Sequence, residues 1–171
     1  MADRARGALL GLAIGDALGT PLEFSVRDSL PRRTEMTGGG PFRLAPGQWT
    51  DDTAMALALA DSLVRCAGLD PADLMGRFVR WWRTGAYSCT GRCFDIGTLT
   101  AQALARFEAT GEALAGATHE AAAGNGSLMR LAPAVLAALA DAGETERLAR
   151  EQNNQELQQR PAGCETGKER Y

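Results

Sequence analysis

Apolar residues recur at helical spacing along most of the chain, and short polar or glycine-rich segments separate these stretches. The pattern predicts helices over about residues 3–18, 52–67, 71–84, 95–110 and 134–140, with a short alanine-rich helix before the last of them. The stretch 52–67 is apolar on almost every side, so we expect it to be a buried central helix. Because β-branched residues are sparse, the sequence predicts a compact, multi-helix, all-α fold.

Local signals mark several of the predicted helix ends. Asp70 precedes Pro71, which pairs a capping carboxylate with a proline in the first turn, and Gly85 follows the last residue of that stretch. Asp95 is expected to cap the next helix in the same way. The sequence therefore indicates a third helix with defined ends and a fourth that begins at Asp95.

Small residues form one stripe on the first predicted helix. Gly7, Gly11 and Gly15 recur every four residues, although each glycine costs about 1 kcal/mol of helix propensity relative to alanine. We expect another helix to pack closely on this stripe, because the added contact would offset that cost.

The composition changes near residue 151. Glutamine, asparagine and charged residues dominate residues 151–171, where Leu157 is the one large aliphatic residue. Such a segment buries too little apolar surface to offset the entropy lost on ordering. We therefore predict one helical domain over residues 1–150 and a disordered tail over residues 151–171.

The overall charge and hydropathy exclude two classes of function. The net charge is -3 and the arginines are scattered, which is not typical of a protein that binds nucleic acid by neutralising phosphates. The apolar run over residues 8–14 is far shorter than the roughly 20 residues of a transmembrane helix. We expect a protein that binds neither DNA nor a membrane.

Cysteine and histidine usage indicates a reducing compartment and carboxylate chemistry. The cysteines include no C-x-x-C pair, so we expect reduced thiols and a cytoplasmic protein rather than a zinc site. His119 is the single histidine, and it lies among small residues without evident partners for a catalytic triad. Acid–base chemistry would therefore depend on aspartate and glutamate.

Three oxygen-bearing side chains stand together in front of the predicted central helix. Thr50, Asp51 and Asp52 would converge at its N-terminus, where unpaired backbone N–H groups attract carboxylates. The residues alone favour helix capping. The alternative is a Mg²⁺ or Mn²⁺ site, since hard cations prefer carboxylate and hydroxyl oxygens and unpaired buried anions are costly.

A glycine-rich loop precedes the last predicted helix. Gly124-Asn125-Gly126-Ser127 continues to Arg130, and backbone N–H groups in such a loop can bind phosphate at a helix start. The alternative is a tight turn between two helices, which the residues alone favour.

The polar clusters, taken in order, closely resemble the ADP-ribosylglycohydrolase family, especially the branch that includes the dinitrogenase-reductase-activating glycohydrolases. The resemblance rests on the segments 15–23, 49–53, 90–97 and 124–130, and it covers about residues 4–140. It implies an all-α fold around a binuclear Mg²⁺ or Mn²⁺ centre. It also implies hydrolysis of the glycosidic bond between ADP-ribose and a modified protein side chain or a small acceptor.

The resemblance also implies roles for the acidic residues. Thr50, Asp51 and Asp52 match the threonine and paired aspartates that bind the metal in the family, and Asp52 also belongs to the catalytic set. Glu23 matches a glutamate that approaches the metal and the scissile ribose, as a general base or a gate. Asp95 matches an acidic residue of the substrate cleft.

Substrate-binding residues are carried over in the same way. The family's diphosphate loop matches four consecutive residues of this chain, Gly124, Asn125, Gly126 and Ser127. Tyr87 and Ser88 are expected to contribute to the same pocket, whereas His119 matches no position of the family's motifs. The partner implied is an ADP-ribosylated protein or an ADP-ribose derivative.

The sequence departs from the family pattern in its second half. Family members complete the metal site with a further Asp-x-Asp-Thr segment, and no such segment follows Arg130. We therefore expect an incomplete, C-terminally truncated version of the fold. The alternative to an active hydrolase is a non-catalytic ADP-ribose-binding or structural remnant of the family.

Overall fold

The protein is mainly helical in the part of the chain that the computed structural model describes, residues 1–116 and 124–153, and its longest irregular segment covers residues 23–50. Its helices, in chain order, are α1 Ala2–Gly19, α2 Asp51–Arg65, α3 Pro71–Thr84, α4 Thr98–Thr110, α5 Gly126–Met129, α6 Ala132–Ala137 and α7 Ala142–Asn153. A short 3₁₀ turn over Thr20–Leu22 follows α1. Within these residues the only β pairing is an isolated bridge between Gly39 and Leu44, so the predicted all-α fold is confirmed.

Helix α2 is the centre of the core, as its apolar sequence predicts. It packs against α1, α3 and α6, and Met55 and Leu59 are fully buried. Leu74 and Phe78 of α3 pack into the same cluster. This packing fixes the N-terminal end of α2, with Thr50, Asp51 and Asp52, against neighbouring elements.

The ends of α3 follow the sequence signals, whereas the predicted start of α4 is wrong. The Asp70 carboxylate accepts hydrogen bonds from Ala72 N at 2.9 Å and Asp73 N at 3.1 Å, and Gly85 ends α3 in the left-handed conformation. Helix α4 begins at Thr98 and not at Asp95. Asp95 has a positive φ of 59°, which removes it from the helix.

Helix α1 lies on the outside of the described structure. Ala17 is its one buried residue, and alanine side chains built at Gly7, Gly11 and Gly15 would meet no neighbour within 4 Å in the described part. The predicted close helix packing on this stripe is therefore not found there. Leu10 and Ile14 are 61% and 50% exposed, so α1 presents an apolar surface to solvent.

Two regions of the sequence prediction fall partly or wholly outside the described residues. The short alanine-rich helix is predicted between α4 and the glycine-rich segment. Residues 111–116 of that stretch are not helical, and residues 117–123, which include His119, lie outside the described residues. Helix α7 continues to Asn153, three residues past the predicted domain boundary at residue 150. The rest of the predicted tail lies outside the described residues.

Helix α7 is tied to the core by a buried polar contact. The Arg130 guanidinium is 1% exposed and donates from Nε to Gln152 Oε1 at 2.9 Å, and from Nη2 to the Gln152 carbonyl at 3.0 Å. The Gln152 amide in turn donates to the Ser127 carbonyl at 2.9 Å. Arg130 also lies over the Phe78 ring, so α7 is joined to α3 and α5 through one side chain.

Replacing Gln152 with alanine is expected to destabilise the protein by about 1–3 kcal/mol, because it removes an acceptor from a buried guanidinium. Urea denaturation would measure the change. Glu146→Gln is the control on the same helix, since it alters only an exposed ion pair with Arg150 and is expected to change stability by less than about 0.5 kcal/mol. Equal effects of the two substitutions would contradict the buried contact.

No helix in the described part of the chain is both long enough and apolar enough to cross a membrane.

Candidate active site

The acidic residues gather in one open cavity of about 820 Å³ between the C-terminal end of α1, the N-terminal end of α2 and the segment before α4. Its lining contains five carboxyl groups, Asp16, Glu23, Asp51, Asp52 and Asp95. No arginine, lysine or histidine lies among the described residues that line it. So much like charge in one cavity is unfavourable unless protons or a cation offset it.

Asp16 holds the N-terminus of α2 from the neighbouring helix. Its Oδ1 accepts from Thr50 Oγ1 at 2.8 Å, and its Oδ2 accepts from Thr50 N at 3.0 Å. Oδ2 also accepts from Thr53 N at 3.1 Å and Thr53 Oγ1 at 2.7 Å. A carboxylate from α1 therefore satisfies the backbone donors that a capping side chain would otherwise satisfy.

This arrangement determines which hydrogen bond the Thr50 side chain makes. Thr50 occupies the N-cap position of α2, but its side chain makes no capping hydrogen bond to its own helix. Capping by Thr50, which the residues alone favoured, is therefore not what the structure shows. Sequence reasoning did not select Asp16, although an acidic residue next to the apolar run of α1 is a signal that could have drawn attention to it.

Burial raises the pKa of two carboxyl groups at the start of α2. The pKa of Asp51 is raised to about 8 by burial, and then by repulsion from Asp95, Asp52 and Asp16. Burial and repulsion from Asp16 raise the pKa of Asp52 as well. Without a cation the cavity therefore retains protons near neutral pH.

Asp95 reaches this cluster from the segment before α4. Burial raises its pKa to about 7, and the charge of Glu23 and a hydrogen bond with Glu23 contribute further. Its positive φ turns the chain at this point. The same left-handed backbone conformation that keeps Asp95 from capping α4 therefore places its carboxyl group beside Glu23 in the cavity.

The metal-free protein is expected to lose stability as the pH rises from about 6 to 8.5. Asp51 and Asp95 have folded pKa values of about 8 and 7, above their ordinary value of 3.8, so the folded state binds more protons in this range. Their contribution is complete below the ordinary pKa and disappears as the pH passes the folded pKa. Asp61, Asp73, Glu108 and Glu144 have lowered pKa values and stay ionised across the range.

The expected loss is about 4 kcal/mol over this range, because each pH unit over which a carboxyl group stays protonated in the folded state alone contributes about 1.4 kcal/mol. Urea denaturation in EDTA at the two pH values measures it. A free energy of unfolding that stays constant or increases with pH would contradict it.

The glycine-rich segment differs from the predicted loop. Residues Gly126–Met129 form the short helix α5, with Asn125 at its N-cap position. Asn125 and Met129 line the acidic cavity. Gly124, Gly126 and Ser127 are not among its lining residues, so of the four residues predicted to bind the diphosphate only Asn125 reaches it.

Tyr87 and Ser88 lie outside the cavity lining. The Tyr87 hydroxyl donates to Asp61 Oδ2 at 2.8 Å and accepts from Arg77 Nη1 at 3.1 Å. The Ser88 hydroxyl lies 3.0 Å from Thr90 Oγ1. The structure therefore does not bring Tyr87 and Ser88 to the carboxyl groups of the cavity. Tyr87 instead joins its loop to Asp61 of α2 and Arg77 of α3.

A second contact holds the same loop against the start of α2. Cys89 Sγ donates to the Trp49 carbonyl at 3.0 Å and accepts from Trp49 N at 3.3 Å. Trp49 Nε1 donates to the Tyr87 carbonyl at 3.2 Å. Cys89, like Cys66 and Cys93, is an unpaired thiol in the described part, and Cys164 lies outside it. Sequence reasoning did not identify this link between the segments that carry Asp51 and Asp95.

The donor atoms at the start of α2 suit a hard divalent cation. Thr50, Asp51 and Asp52 supply hydroxyl and carboxylate oxygens, the ligands that Mg²⁺ and Mn²⁺ prefer, in a cavity whose described lining carries no basic side chain. Within the described residues no three acidic, histidine or cysteine side chains are gathered tightly enough to hold an ion by themselves. Hydroxyl, water or further ligands would have to complete the shell.

The comparisons with known proteins identify the family. The ADP-ribosylglycohydrolase family model matches residues 1–163. The chain is 52% identical over 131 residues to the ADP-ribosylarginine hydrolase Tri1 of Serratia proteamaculans (strain 568), which covers 77% of this chain and 36% of that protein. It is also 41% identical over 148 residues to the ADP-ribosyl-(dinitrogen reductase) glycohydrolase of Rhodospirillum rubrum, and this alignment covers 84% of the present chain and 48% of the relative.

A solved structure shares the fold. It is described as an ADP-ribosylglycohydrolase-related protein complex, and it aligns with a TM-score of 0.76 and 47% identity over 91% of this chain and 49% of that one. The chain thus spans less than half the length of each of these three relatives. With the family model matching nearly its whole length, the chain belongs to the ADP-ribosylglycohydrolase family.

Proposed function

We propose that this chain forms one wall of the active site of a Mg²⁺- or Mn²⁺-dependent hydrolase that releases ADP-ribose from a modified protein side chain. The observation that carries the proposal is the cavity with five carboxyl groups and no basic side chain in its described lining, in a chain of this family. A cation would relieve the repulsion among these groups. The names of the relatives support the reaction, since one is named an ADP-ribosylarginine hydrolase and the other an ADP-ribosyl-(dinitrogen reductase) glycohydrolase.

Thr50, Asp51 and Asp52 are the residues that would hold the cation. They are consecutive at the N-terminus of α2, so one rigid helix end carries all three side chains. When bound, a divalent cation would supply positive charge that polarises the attacking water and the ribose oxygens. The two carboxylates and the Thr50 hydroxyl would hold that charge at the N-terminal end of α2, in the cavity that also contains Glu23 and Asp95.

Glu23 and Asp95 are suited to proton transfer. Cleavage of the ribose C1″ bond passes through an oxocarbenium-like state, which requires a proton for the leaving group and a base for the water. The raised pKa of Asp95, about 7, lets it carry a proton at neutral pH beside Glu23. We assign Glu23 as the base that receives the proton of the attacking water and Asp95 as the acid that gives its own proton to the leaving group. Transfer of the proton from Glu23 to Asp95 then restores both groups.

Arginine is the proposed attachment site of the ADP-ribose. The Serratia proteamaculans protein named an ADP-ribosylarginine hydrolase is more than half identical to this chain over the aligned residues. An arginine-linked substrate also brings a cationic acceptor, and the surplus of carboxylates in the cavity would attract it.

Release of free ADP-ribose from an arginine-ADP-ribosylated protein tests the proposal. After removal of metal with EDTA, we expect release to be slow, and addition of Mn²⁺ or Mg²⁺ is expected to raise the rate at least about 100-fold. A serine-linked substrate run in parallel tests the linkage. Absence of metal-dependent release from either substrate would refute the hydrolase proposal for this chain.

Binding of ADP-ribose without turnover is the second candidate. It is favoured by the absence, within the described residues, of three gathered acidic, histidine or cysteine ligands. Calorimetry with ADP-ribose would then show binding in a protein that releases none of it from substrate. No binding and no release would leave a structural role.

A further inference from the structure

The Asp16 carboxylate is the most heavily hydrogen-bonded acidic group in the cavity. It accepts from the backbone N–H and the hydroxyl of both Thr50 and Thr53. Both threonines are 4% exposed, so water competes little for these hydrogen bonds. Asp16 and the two threonines therefore form a fixed unit between α1 and α2.

We propose that Asp16 is a positioning residue that sets the Thr50 hydroxyl for cation binding, an inference that rests on the metal-dependent function proposed above. A threonine hydroxyl has one proton and two lone pairs. The Thr50 proton is donated to Asp16 Oδ1 at 2.8 Å, so the lone pairs of Oγ1 remain for another partner. A cation ligand must present lone pairs, which is what this hydrogen bond ensures.

Loss of Asp16 would change where that proton goes. The cavity contains other carboxyl groups, including Asp51 and Asp52 next to Thr50 in the chain. Without Asp16 the Thr50 hydroxyl is free to donate to one of these carboxylates, which would occupy a cation-binding oxygen and turn the lone pairs of Thr50 away. Asp16 therefore protects both the Thr50 oxygen and the neighbouring carboxylates as ligands.

The same hydrogen bonds show why Asp16 is not itself assigned as a ligand. Oδ1 receives the Thr50 hydroxyl, and Oδ2 receives three donors at 2.7–3.1 Å from Thr50 and Thr53. Oδ1 also accepts a hydrogen bond from Thr20 Oγ1 at 3.1 Å. A carboxylate used in this way lies behind the ligands and orients them, and loss of such supporting groups typically weakens metal affinity about 10- to 100-fold.

A double-mutant cycle on Mn²⁺ binding tests the inference. Calorimetry with Mn²⁺ alone is run on the wild-type chain, Asp16→Asn, Thr50→Val and the double variant. Asp16→Asn and Thr50→Val are each expected to weaken Mn²⁺ binding about 10- to 100-fold. Because Asp16 acts through Thr50, the double variant is expected to bind as Thr50→Val does, within about threefold.

Thr53→Val is the matched control. It removes a hydroxyl that donates to the same carboxylate at 2.7 Å, but Thr53 is not a proposed ligand. Its Mn²⁺ affinity is expected to stay within about threefold of wild type, whatever its effect on the melting temperature in EDTA. A loss as large as that of Thr50→Val would overturn the inference, because it would show that any damage to the hydrogen-bonded unit weakens binding.

Asp16→Glu separates position from charge and serves if Asp16→Asn does not fold. It keeps the negative charge but moves the carboxylate by one methylene, so Mn²⁺ binding is expected to weaken about 10-fold or more. Wild-type affinity in Asp16→Glu, or independent additive losses in the cycle, would overturn the positioning role alone. If the wild-type chain itself binds no Mn²⁺, the metal-dependent function fails and the inference fails with it.

Discussion

Asp51→Asn is expected to abolish metal-dependent release of ADP-ribose while making the metal-free protein more stable. Asp51 is 9% exposed, and burial with repulsion from Asp95 and Asp52 raises its pKa to about 8. An asparagine of the same shape carries no proton or charge to accommodate, so its unfolding free energy in EDTA at pH 8.5 should increase. The same change removes one of the proposed carboxylate ligands, so the rate should fall at least about 1000-fold.

Activity assays with Mn²⁺ and urea denaturation in EDTA measure the two effects on the same preparation. Asp3→Asn is the matched control, because Asp3 is almost fully exposed and, among the described residues, forms an ion pair with Arg6 alone. It is expected to change neither quantity. An Asp51→Asn variant that is less stable than wild type in EDTA would contradict the repulsion among the carboxylates. An Asp51→Asn variant that releases ADP-ribose at the wild-type rate would show that Asp51 is not part of the active site.

Gly85→Ala is expected to destabilise the protein by about 3 kcal/mol or more. Gly85 ends α3 with a φ of 72°, and an alanine Cβ there would lie 2.3 Å from Arg92 N and 2.3 Å from the Gly91 carbonyl oxygen. Backbone atoms cannot move aside as a flexible side chain can. Because the displaced segment leads to Asp95, the variant should also lose activity.

Gly111→Ala is the control for this substitution. Gly111 ends α4 with nearly the same φ of 74°, but an alanine Cβ there would meet none of the described residues within 4 Å. Only the cost of a left-handed alanine remains, about 1–2 kcal/mol. Urea denaturation of both variants separates the two contributions, and equal losses would contradict the close approach of the 85–92 loop.

Much of the fold follows from local signals in the sequence. The ends of α3 depend on Asp70, Pro71 and Gly85, whose effects act within a few residues, and the structure confirms them. The buried character of α2 follows from its apolar composition. The prediction that Asp95 caps α4 is wrong, because a capping aspartate and an aspartate in the left-handed conformation look alike in a sequence and only the packed structure distinguishes them.

The sequence pointed to the acidic residues of the candidate site but not to the contacts that support them. The structure brings Glu23, Thr50, Asp51, Asp52 and Asp95 into one cavity, and their roles there remain predictions. The capping of α2 by Asp16 joins residues 34 positions apart, and no local pattern reveals such a contact. The placement of Tyr87 with Arg77 and Asp61 likewise depends on how α2 and α3 pack.

Binding of Mn²⁺ to the wild-type chain tests the central claim most directly. Calorimetry at pH 7.5 in two buffers of different ionisation enthalpy would measure both the affinity and the protons released. We expect binding accompanied by proton release, because Asp51 retains a proton near this pH and must lose it to become a ligand. No binding at millimolar Mn²⁺, or binding that is unchanged in Asp51→Asn, would contradict a metal site at the start of α2.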